Sequence, residues 1–199
     1  KENNPEIHYS KEKNIKIYKR SEMLSSLMNF KESIAISGTH GKTTTTSLIS
    51  AVLENAKFDP TTIIGGIVNA YKSTARIGKS KWMVVEADES DGSLSNFFPK
   101  IGVITNINKE HMDFYQSYNK LQNNFYQFIK NIPFDGLAVL CKDNLGVKKL
   151  IKKITNRNFI TYGFFKDSDL RALNVSFNKT SSCFDVEIKQ NFLFKKEII

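Results

Sequence analysis

Residues 33–46 read SIAISGTHGKTTTT, and this stretch decides the fold. The apolar residues of Ser33–Ser37 predict a buried strand, and the pattern from about Thr43 to Glu54 predicts an amphipathic helix. Between them lies a turn whose glycines let successive backbone N–H groups point inward. A strand, a glycine-containing turn and a helix in this order are typical of a loop that binds phosphate groups at a helix N-terminus.

The residues of this loop have distinct predicted roles. We expect the Lys42 ammonium to lie on the β- and γ-phosphates of a nucleotide and the Thr43 hydroxyl to reach Mg²⁺. The general pattern has a glycine where this chain has Ile36, and a bare Gly-Lys-Thr occurs by chance in many proteins. The flanking strand and helix favour phosphate binding over a turn that binds nothing. The predicted nucleotide contacts are Gly38, Thr39, His40, Gly41, Lys42, Thr43 and Thr44.

Apolar strands and amphipathic helices alternate downstream of the loop. Strands that are apolar on both faces predict an α/β fold, a mostly parallel sheet with flanking helices. Short alternating segments after Gly163 predict a small antiparallel sheet at the C-terminal end. The predicted strands are Thr61–Ile64, Trp82–Glu86, Ile101–Thr105, Gly136–Leu140, Phe159–Tyr162, Ala172–Phe177, Cys183–Ile188 and Phe192–Phe194, and the further helices are Asn119–Asn131 and Leu145–Lys153.

The first 31 residues have a different pattern. Asn4–Asn14 is polar and predicts a short surface helix, and the alternation in Ile15–Tyr18 predicts a strand. Ser21 is a predicted N-cap for a helix that runs to Asn29. This opening is typical of the end of one domain followed by a linker helix.

Two polar clusters follow predicted strands. Glu86 ends one strand and begins the acidic run to Asp91, and residues 106–113, which include His111, follow the next strand. The carboxyl ends of neighbouring parallel strands face one crevice, so we expect Lys42, Glu86 and His111 to converge there. Carboxylate and hydroxyl oxygens suit Mg²⁺. A solvated acidic turn and an ordinary surface histidine are the alternatives.

Composition narrows the class of protein. The 199 residues carry a net charge of +9, from 29 basic and 20 acidic side chains. Because the lysines are scattered, we do not expect a nucleic-acid partner. The apolar runs are too short to span a membrane and the chain opens without a signal peptide, so we expect no membrane association and a cytoplasmic location. Cys141 and Cys183 lack metal or disulfide spacing and are predicted to be reduced and buried.

The clusters, taken in order, resemble the Mur ligase family. The loop from Gly38 to Thr46 is similar to the family's shortened phosphate loop, in particular that of its alanine-adding branch, which also lacks the glycine at the position of Ile36. Glu110 departs from the family, which commonly has Asp before the histidine. Further similar segments are Arg20–Leu24, Gly65-Gly66, Glu86–Asp91, Asn106–Asp113 and Phe134–Val139.

The resemblance implies a reaction and a cofactor set. It implies ATP- and Mg²⁺-dependent ligation of L-alanine to UDP-N-acetylmuramate through an acyl phosphate, in peptidoglycan synthesis. Lys42, Glu86 and His111 would be catalytic, with Thr43 and Glu86 on one Mg²⁺ and His111 on a second. The implied substrate contacts are Gly66, Glu89, Ser90 and Asn106.

The resemblance also implies a domain organisation. Residues 1–31 would be the end of a UDP-sugar-binding domain with its linker helix, and residues 32–199 most of a central ATP-binding domain. We expect the family's C-terminal domain to be missing from this chain, and the 199 residues alone to ligate little or nothing. The sequence carries no signal for oligomeric state.

Two other functions stay open. A related ligase that recycles a tripeptide shares the loop, but it would be expected to carry Tyr at the position of Ser90. A nucleotide-binding module without ligase activity would share the loop but would not need residues 106–113.

Overall fold

The computed structural model describes residues 4–68 and 72–189 of the chain. Its helices are α1 Pro5–Glu12, α2 Arg20–Met28, α3 Lys42–Asn55, α4 Met112–Tyr115, α5 Tyr118–Lys130 and α6 Leu145–Ile151, with a 3-10 turn at Ser93–Asn96. Its strands are β1 Glu32–Ser37, β2 Thr61–Val68, β3 Ser73–Arg76, β4 Trp82–Glu86, β5 Ile101–Ile104, β6 Leu137–Cys141, β7 Phe159–Gly163, β8 Leu170–Phe177 and β9 Ser182–Ile188.

Within the described residues, nine strands form one sheet in the order β3-β2-β4-β1-β5-β6-β7-β8-β9. The strands from β2 to β8 pair in parallel, and β3 and β9 pair antiparallel at the two edges. The chain leaves β1 toward β4 and β2 on one side and reaches β5 on the other. This change of direction opens a crevice at the carboxyl end of β1, where ligands bind in open α/β sheets.

Side chains of β1 alternate between the two faces of the sheet. Ile34 and Ile36 pack with Val84 on the face that α3 covers. Ala35 points to the other face and belongs to the larger core, which includes Phe125 and the other buried apolar side chains of α5. The predicted α/β fold, parallel with an antiparallel end, is confirmed.

The structure corrects several predicted elements. Ile15–Tyr18 is not a strand, because no strand of the described residues pairs with it, and Ile15, Ile17 and Tyr18 are about half exposed. The N-cap of α2 is Lys19, not Ser21, since the Glu22 carboxylate accepts a hydrogen bond from Lys19 N at 2.9 Å. The sequence patterns also missed β3 and α4, which are both only four residues long.

The C-terminal strands and the cysteines also need correction. The antiparallel pair β8–β9 continues the main sheet through β7 and does not form a separate sheet. The predicted strand Phe192–Phe194 lies outside the described residues. Cys141 is partly buried, but Cys183 is exposed because it lies on the edge strand β9. Both thiols are free.

Candidate active site

The phosphate loop connects the carboxyl end of β1 to the first turn of α3. Gly38 and Gly41 have φ values of +139° and +79°, a region that side chains with a Cβ rarely adopt. A Cβ on Gly38 would lie 2.1 Å from Thr105 Oγ1, whereas a Cβ on Gly41 would meet no atom within 4 Å. The loop therefore packs tightly against the segment that follows β5 at Gly38 and is open at Gly41, in front of the α3 N-terminus.

The segment after β5 holds the backbone of this loop. The Asn106 side-chain amide donates to His40 O and accepts from His40 N, each at 2.9 Å. Thr105 Oγ1 donates to His40 O at 2.8 Å, and Asn108 N donates to Thr39 Oγ1 at 2.9 Å. These bonds fix the loop without occupying its open side. The structure thus places the Asn106 amide, a predicted substrate contact, on the loop backbone.

Lys42 lies at the start of α3 and turns back over the loop. Its Nζ donates to Gly38 O at 2.7 Å and to Thr39 O at 3.3 Å. It also lies 2.8 Å from Glu89 Oε2, and the Glu89 side chain is only 1% exposed. The ammonium thus has three partners within the protein, and one must be released before Lys42 can contact a phosphate oxygen.

Thr43 and Glu86 lie together at the ends of α3 and β4. Thr43 Oγ1 donates to Glu86 Oε1 at 3.1 Å, and Gly65 N donates to Glu86 Oε2 at 2.9 Å. A Cβ on Gly65 would lie 3.0 Å from the Glu86 carboxylate, so the glycine leaves room for the carboxylate. One hydroxyl and one carboxylate at this spacing form a fitting pair of hard oxygen ligands for Mg²⁺.

The other predicted site residues lie around this centre. His111 has a left-handed backbone and caps α4, with its Nε2 3.5 Å from Glu89 Oε1. The His40 ring is largely exposed and lies 3.2 Å from Glu110, so the carboxylate at this position contacts the loop. Thr44 is exposed on the first turn of α3, and Gly66 contacts the methyl group of Thr43.

Asp88 and Ser90 form a compact turn beside the buried Glu89. Ser90 donates to the Asp88 carboxylate through its backbone N and its hydroxyl, both at 3.0 Å. Burial opposes ionisation of Asp88, but these hydrogen bonds and the nearby Lys42 and Arg20 hold its pKa below the usual value. Arg20 of α2 lies 3.7 Å from Asp88, so helix α2 contacts the acidic run.

Three supporting residues were given no individual role from the sequence, although Thr105 ends the predicted strand and Asn108 belongs to the polar stretch after it. Thr105 and Asn108 clamp the loop, and Tyr115 donates from its hydroxyl to Glu89 O. Their position after β5 was the only signal for the first two.

Across residues 4–68 and 72–189, no cluster of three or more His, Cys, Asp or Glu side chains is arranged to hold a metal. The fit to Mg²⁺ therefore rests on the pair Thr43 and Glu86. Among the described helices, none combines the length and hydropathy of a membrane-spanning segment.

The family model and the curated relatives that this sequence matches belong to the same family. The model of the Mur ligase middle domain matches residues 36–198. A UDP-N-acetylmuramate–L-alanine ligase of Agrobacterium fabrum is 48% identical over 96% of this chain and 40% of its own length. A ligase of the same name from Bartonella bacilliformis is 49% identical over 95% of this chain and 40% of its own length. The chain thus spans about 40% of the length of these curated relatives.

Solved structures share the fold. A UDP-N-acetylmuramate-alanine ligase of Thermotoga maritima superposes with a TM-score of 0.81 at 26% identity, over 94% of this chain and 42% of its own. A UDP-N-acetylmuramate:L-alanyl-gamma-D-glutamyl-meso-diaminopimelate ligase of Neisseria meningitides gives 0.78 at 23% identity, over 92% and 60%. At 23% identity, the second match shows a shared fold and nothing more. From the match to the middle-domain model and the identity to curated relatives, this chain belongs to the Mur ligase family.

Proposed function

We propose that this chain is the nucleotide-binding part of an ATP-dependent ligase that joins L-alanine to UDP-N-acetylmuramate in peptidoglycan synthesis. The observation that carries the proposal is the meeting of Lys42, Thr43 and Glu86 beside the open side of a phosphate loop. The choice of substrates is supported by curated relatives that are named UDP-N-acetylmuramate–L-alanine ligase, at 44% to 49% identity.

The proposed chemistry begins at the lactyl carboxylate of UDP-N-acetylmuramate. One of its oxygens attacks the γ-phosphorus of ATP, the bond from that phosphorus to the β-bridging oxygen breaks, and ADP leaves. The amine of L-alanine then attacks the acyl carbon, phosphate leaves, and the new amide nitrogen loses a proton. Phosphorylation is needed because a free carboxylate would have to expel oxide.

Positioning and charge neutralisation account for most of the catalysis of phosphoryl transfer. Lys42 moves from the loop carbonyls to the transferring phosphoryl group, and the α3 N-terminus donates its backbone N–H groups. The Thr43 hydroxyl and the Glu86 carboxylate would hold Mg²⁺, and the ion would supply charge neutralisation at the phosphate oxygens. His111 is the proposed ligand of a second Mg²⁺, although this ion prefers oxygen.

The four proposed substrate contacts differ in whether the protein itself already engages them. Gly66 borders Thr43, and Ser90 is bound to Asp88 in a partly buried turn. Asn106 and Glu89 already contact the loop backbone and Lys42, respectively. We retain Gly66 and Ser90 as the proposed substrate contacts at this crevice.

We also propose the domain organisation that the resemblance implies. Residues 1–31 end a UDP-sugar-binding domain and supply its linker helix, and residues 32–199 belong to the central ATP-binding domain. The family match begins at residue 36, which supports this boundary. Because the curated relatives are much longer, we expect the 199-residue chain by itself to bind nucleotide and to ligate little.

A calorimetric titration tests this function. Mg²⁺-ATP is titrated into the chain and into Lys42→Ala, with and without UDP-N-acetylmuramate. Lys81→Ala is the matched control, because Lys81 also lies 2.8 Å from a glutamate but at the opposite end of β1. We expect binding that Lys42→Ala abolishes and Lys81→Ala preserves, and that the UDP-sugar strengthens.

The same titration, together with an assay of nucleotide turnover, separates the alternatives. Failure of the wild-type chain to bind nucleotide would contradict the phosphate loop. Nucleotide turnover that responds to DNA or RNA, and not to UDP-N-acetylmuramate, would favour a nucleotide-binding module. Nucleotide turnover that needs a tripeptide and not L-alanine would favour the recycling ligase.

A further inference from the structure

Glu89 joins two functional side chains that come from different parts of the chain. It lies in the acidic run after β4, whereas Lys42 begins α3 and His111 caps α4. Glu89 Oε2 lies 2.8 Å from Lys42 Nζ, and Glu89 Oε1 lies 3.5 Å from His111 Nε2. One carboxylate therefore faces the phosphate-loop cation with one oxygen and the histidine with the other.

The environment of Glu89 makes its ion pair with Lys42 costly to break. Its side chain is 1% exposed, and Lys42 is itself only 14% exposed. A buried carboxylate is costly unless a cation compensates it, so loss of the ammonium would leave Glu89 strongly destabilised. The two carbonyl contacts of Lys42 are neutral and are easier to give up. When Lys42 turns to a phosphate, Glu89 is therefore the partner that we expect it to keep.

The backbone of Glu89 is tied to the same helix as His111. The Tyr115 hydroxyl, in α4, donates to Glu89 O. Burial raises the pKa of Tyr115, and the carboxylates of Glu89, Asp91 and Asp88 raise it further, so the phenol stays protonated and can donate. Helix α4 thus contacts Glu89 through the His111 ring and through Tyr115, and movement of Glu89 must affect both.

We propose that Glu89 is a positioning residue that couples Lys42 to His111, so that engagement of Lys42 by a phosphate group is transmitted to the His111 ring. This replaces the expected substrate contact of Glu89 with a role through two other side chains. Its meaning for catalysis rests on the proposed function, but the coupling itself is a property of the ligand-free chain.

The test is a double-mutant cycle read by NMR on the ligand-free chain. The chain has three histidines, so the His111 ring signals can be assigned from the spectrum of His111→Gln. Spectra are recorded at about pH 8.5, two units above the ordinary histidine pKa. Lys42→Met is made in three backgrounds: the wild type, Glu89→Gln and Glu32→Gln. The Glu32→Gln background is the control, because Glu32 pairs with Lys81 at the same distance of 2.8 Å.

We expect Lys42→Met to shift the His111 signals when Glu89 is present, and this shift to be lost in Glu89→Gln but kept in Glu32→Gln. An equal shift in all three backgrounds would overturn the proposal. If Glu89→Gln does not fold, Glu89→Asp replaces it: aspartate keeps the charge but is too short to reach both partners, so the same loss is expected.

A second experiment measures the effect of a bound nucleotide on the His111 ring signals. Metal-free ADP is added to the wild-type chain and to Glu89→Gln while binding is followed by calorimetry. We expect ADP to move the His111 signals in the wild type and this shift to be lost in Glu89→Gln at saturating ADP. Persistence of the shift in the variant would contradict coupling through Glu89. If the wild-type chain binds neither metal-free ADP nor Mg²⁺-ATP, the proposed function is contradicted, and the ligand-free cycle still decides the coupling.

Discussion

Replacement of Gly41 by alanine separates the stability of the phosphate loop from its affinity for nucleotide. Gly41 has a φ of +79°, and an added Cβ would meet no protein atom within 4 Å. The cost in the folded chain is therefore backbone strain alone, about 1–2 kcal/mol for a left-handed residue with a Cβ. For a chain of this size, that corresponds to a fall in Tm of roughly 2–8 °C.

The new methyl group projects into the open side of the loop, where we place the phosphates. We therefore expect Gly41→Ala to weaken Mg²⁺-ATP binding at least about tenfold, a loss of about 1.4 kcal/mol. Gly38→Ala is the comparison variant. Its Cβ would lie 2.1 Å from Thr105 Oγ1 and 3.1 Å from Asn106 N, so steric displacement adds to the strain at a φ of +139°. We expect that displacement to add about 1–3 kcal/mol.

Thermal unfolding and calorimetric ATP titration of both variants give the two quantities. We expect a small fall in Tm with a large loss of affinity for Gly41→Ala, and a larger fall in Tm for Gly38→Ala. A Gly41→Ala chain that binds Mg²⁺-ATP as tightly as the wild type would refute the assignment of the open side to phosphate. Equal Tm values for the two variants would refute the steric argument.

Substitutions at Glu86, Asp88 and Phe125 test the metal site, the acidic run and the core in turn. Glu86→Gln removes the negative charge beside Thr43, so we expect Mg²⁺ to stop strengthening ATP binding while metal-free ATP binds at least as well; calorimetry with EDTA and with Mg²⁺ checks this, and an unchanged Mg²⁺ effect would count against the metal site. The Asp88 pKa is below its usual 3.8, so this carboxylate stabilises the fold above about pH 4 and the contribution is lost as the pH falls through its folded-state pKa. Urea unfolding at pH 6 and pH 3 should show a smaller acid loss of stability in Asp88→Asn than in the wild type, and an equal loss would show that the interactions of Asp88 do not matter. Phe125 is fully buried in the larger core, so Phe125→Ala should lower the free energy of unfolding by about 3–5 kcal/mol, whereas Phe134→Ala, at an exposed phenylalanine, should change it little.

Much of the fold could be predicted because its signals are local. The apolar run of β1, the glycines of the loop and the start of α3 are neighbours in sequence, and each constrains the backbone by itself. The same is true of β4, β5 and β6, whose predicted limits agree with the structure to within one residue. The segment Ile15–Tyr18 shows the limit of this reasoning, because alternation favours a strand only where another strand offers hydrogen bonds.

The crevice could be predicted in outline but not in its contacts. The sequence by itself determined that a phosphate loop follows a buried strand and that acidic residues follow another, since these depend on residue type and short-range spacing. The family resemblance had already implied that Glu86 lies with Thr43, as the structure shows, but only the tertiary structure decided that Glu89 of the same run is buried against Lys42 and His111. The physical reason is that burial and ion pairing join residues far apart in sequence, and the strand order that brings them together is set by packing of the whole sheet.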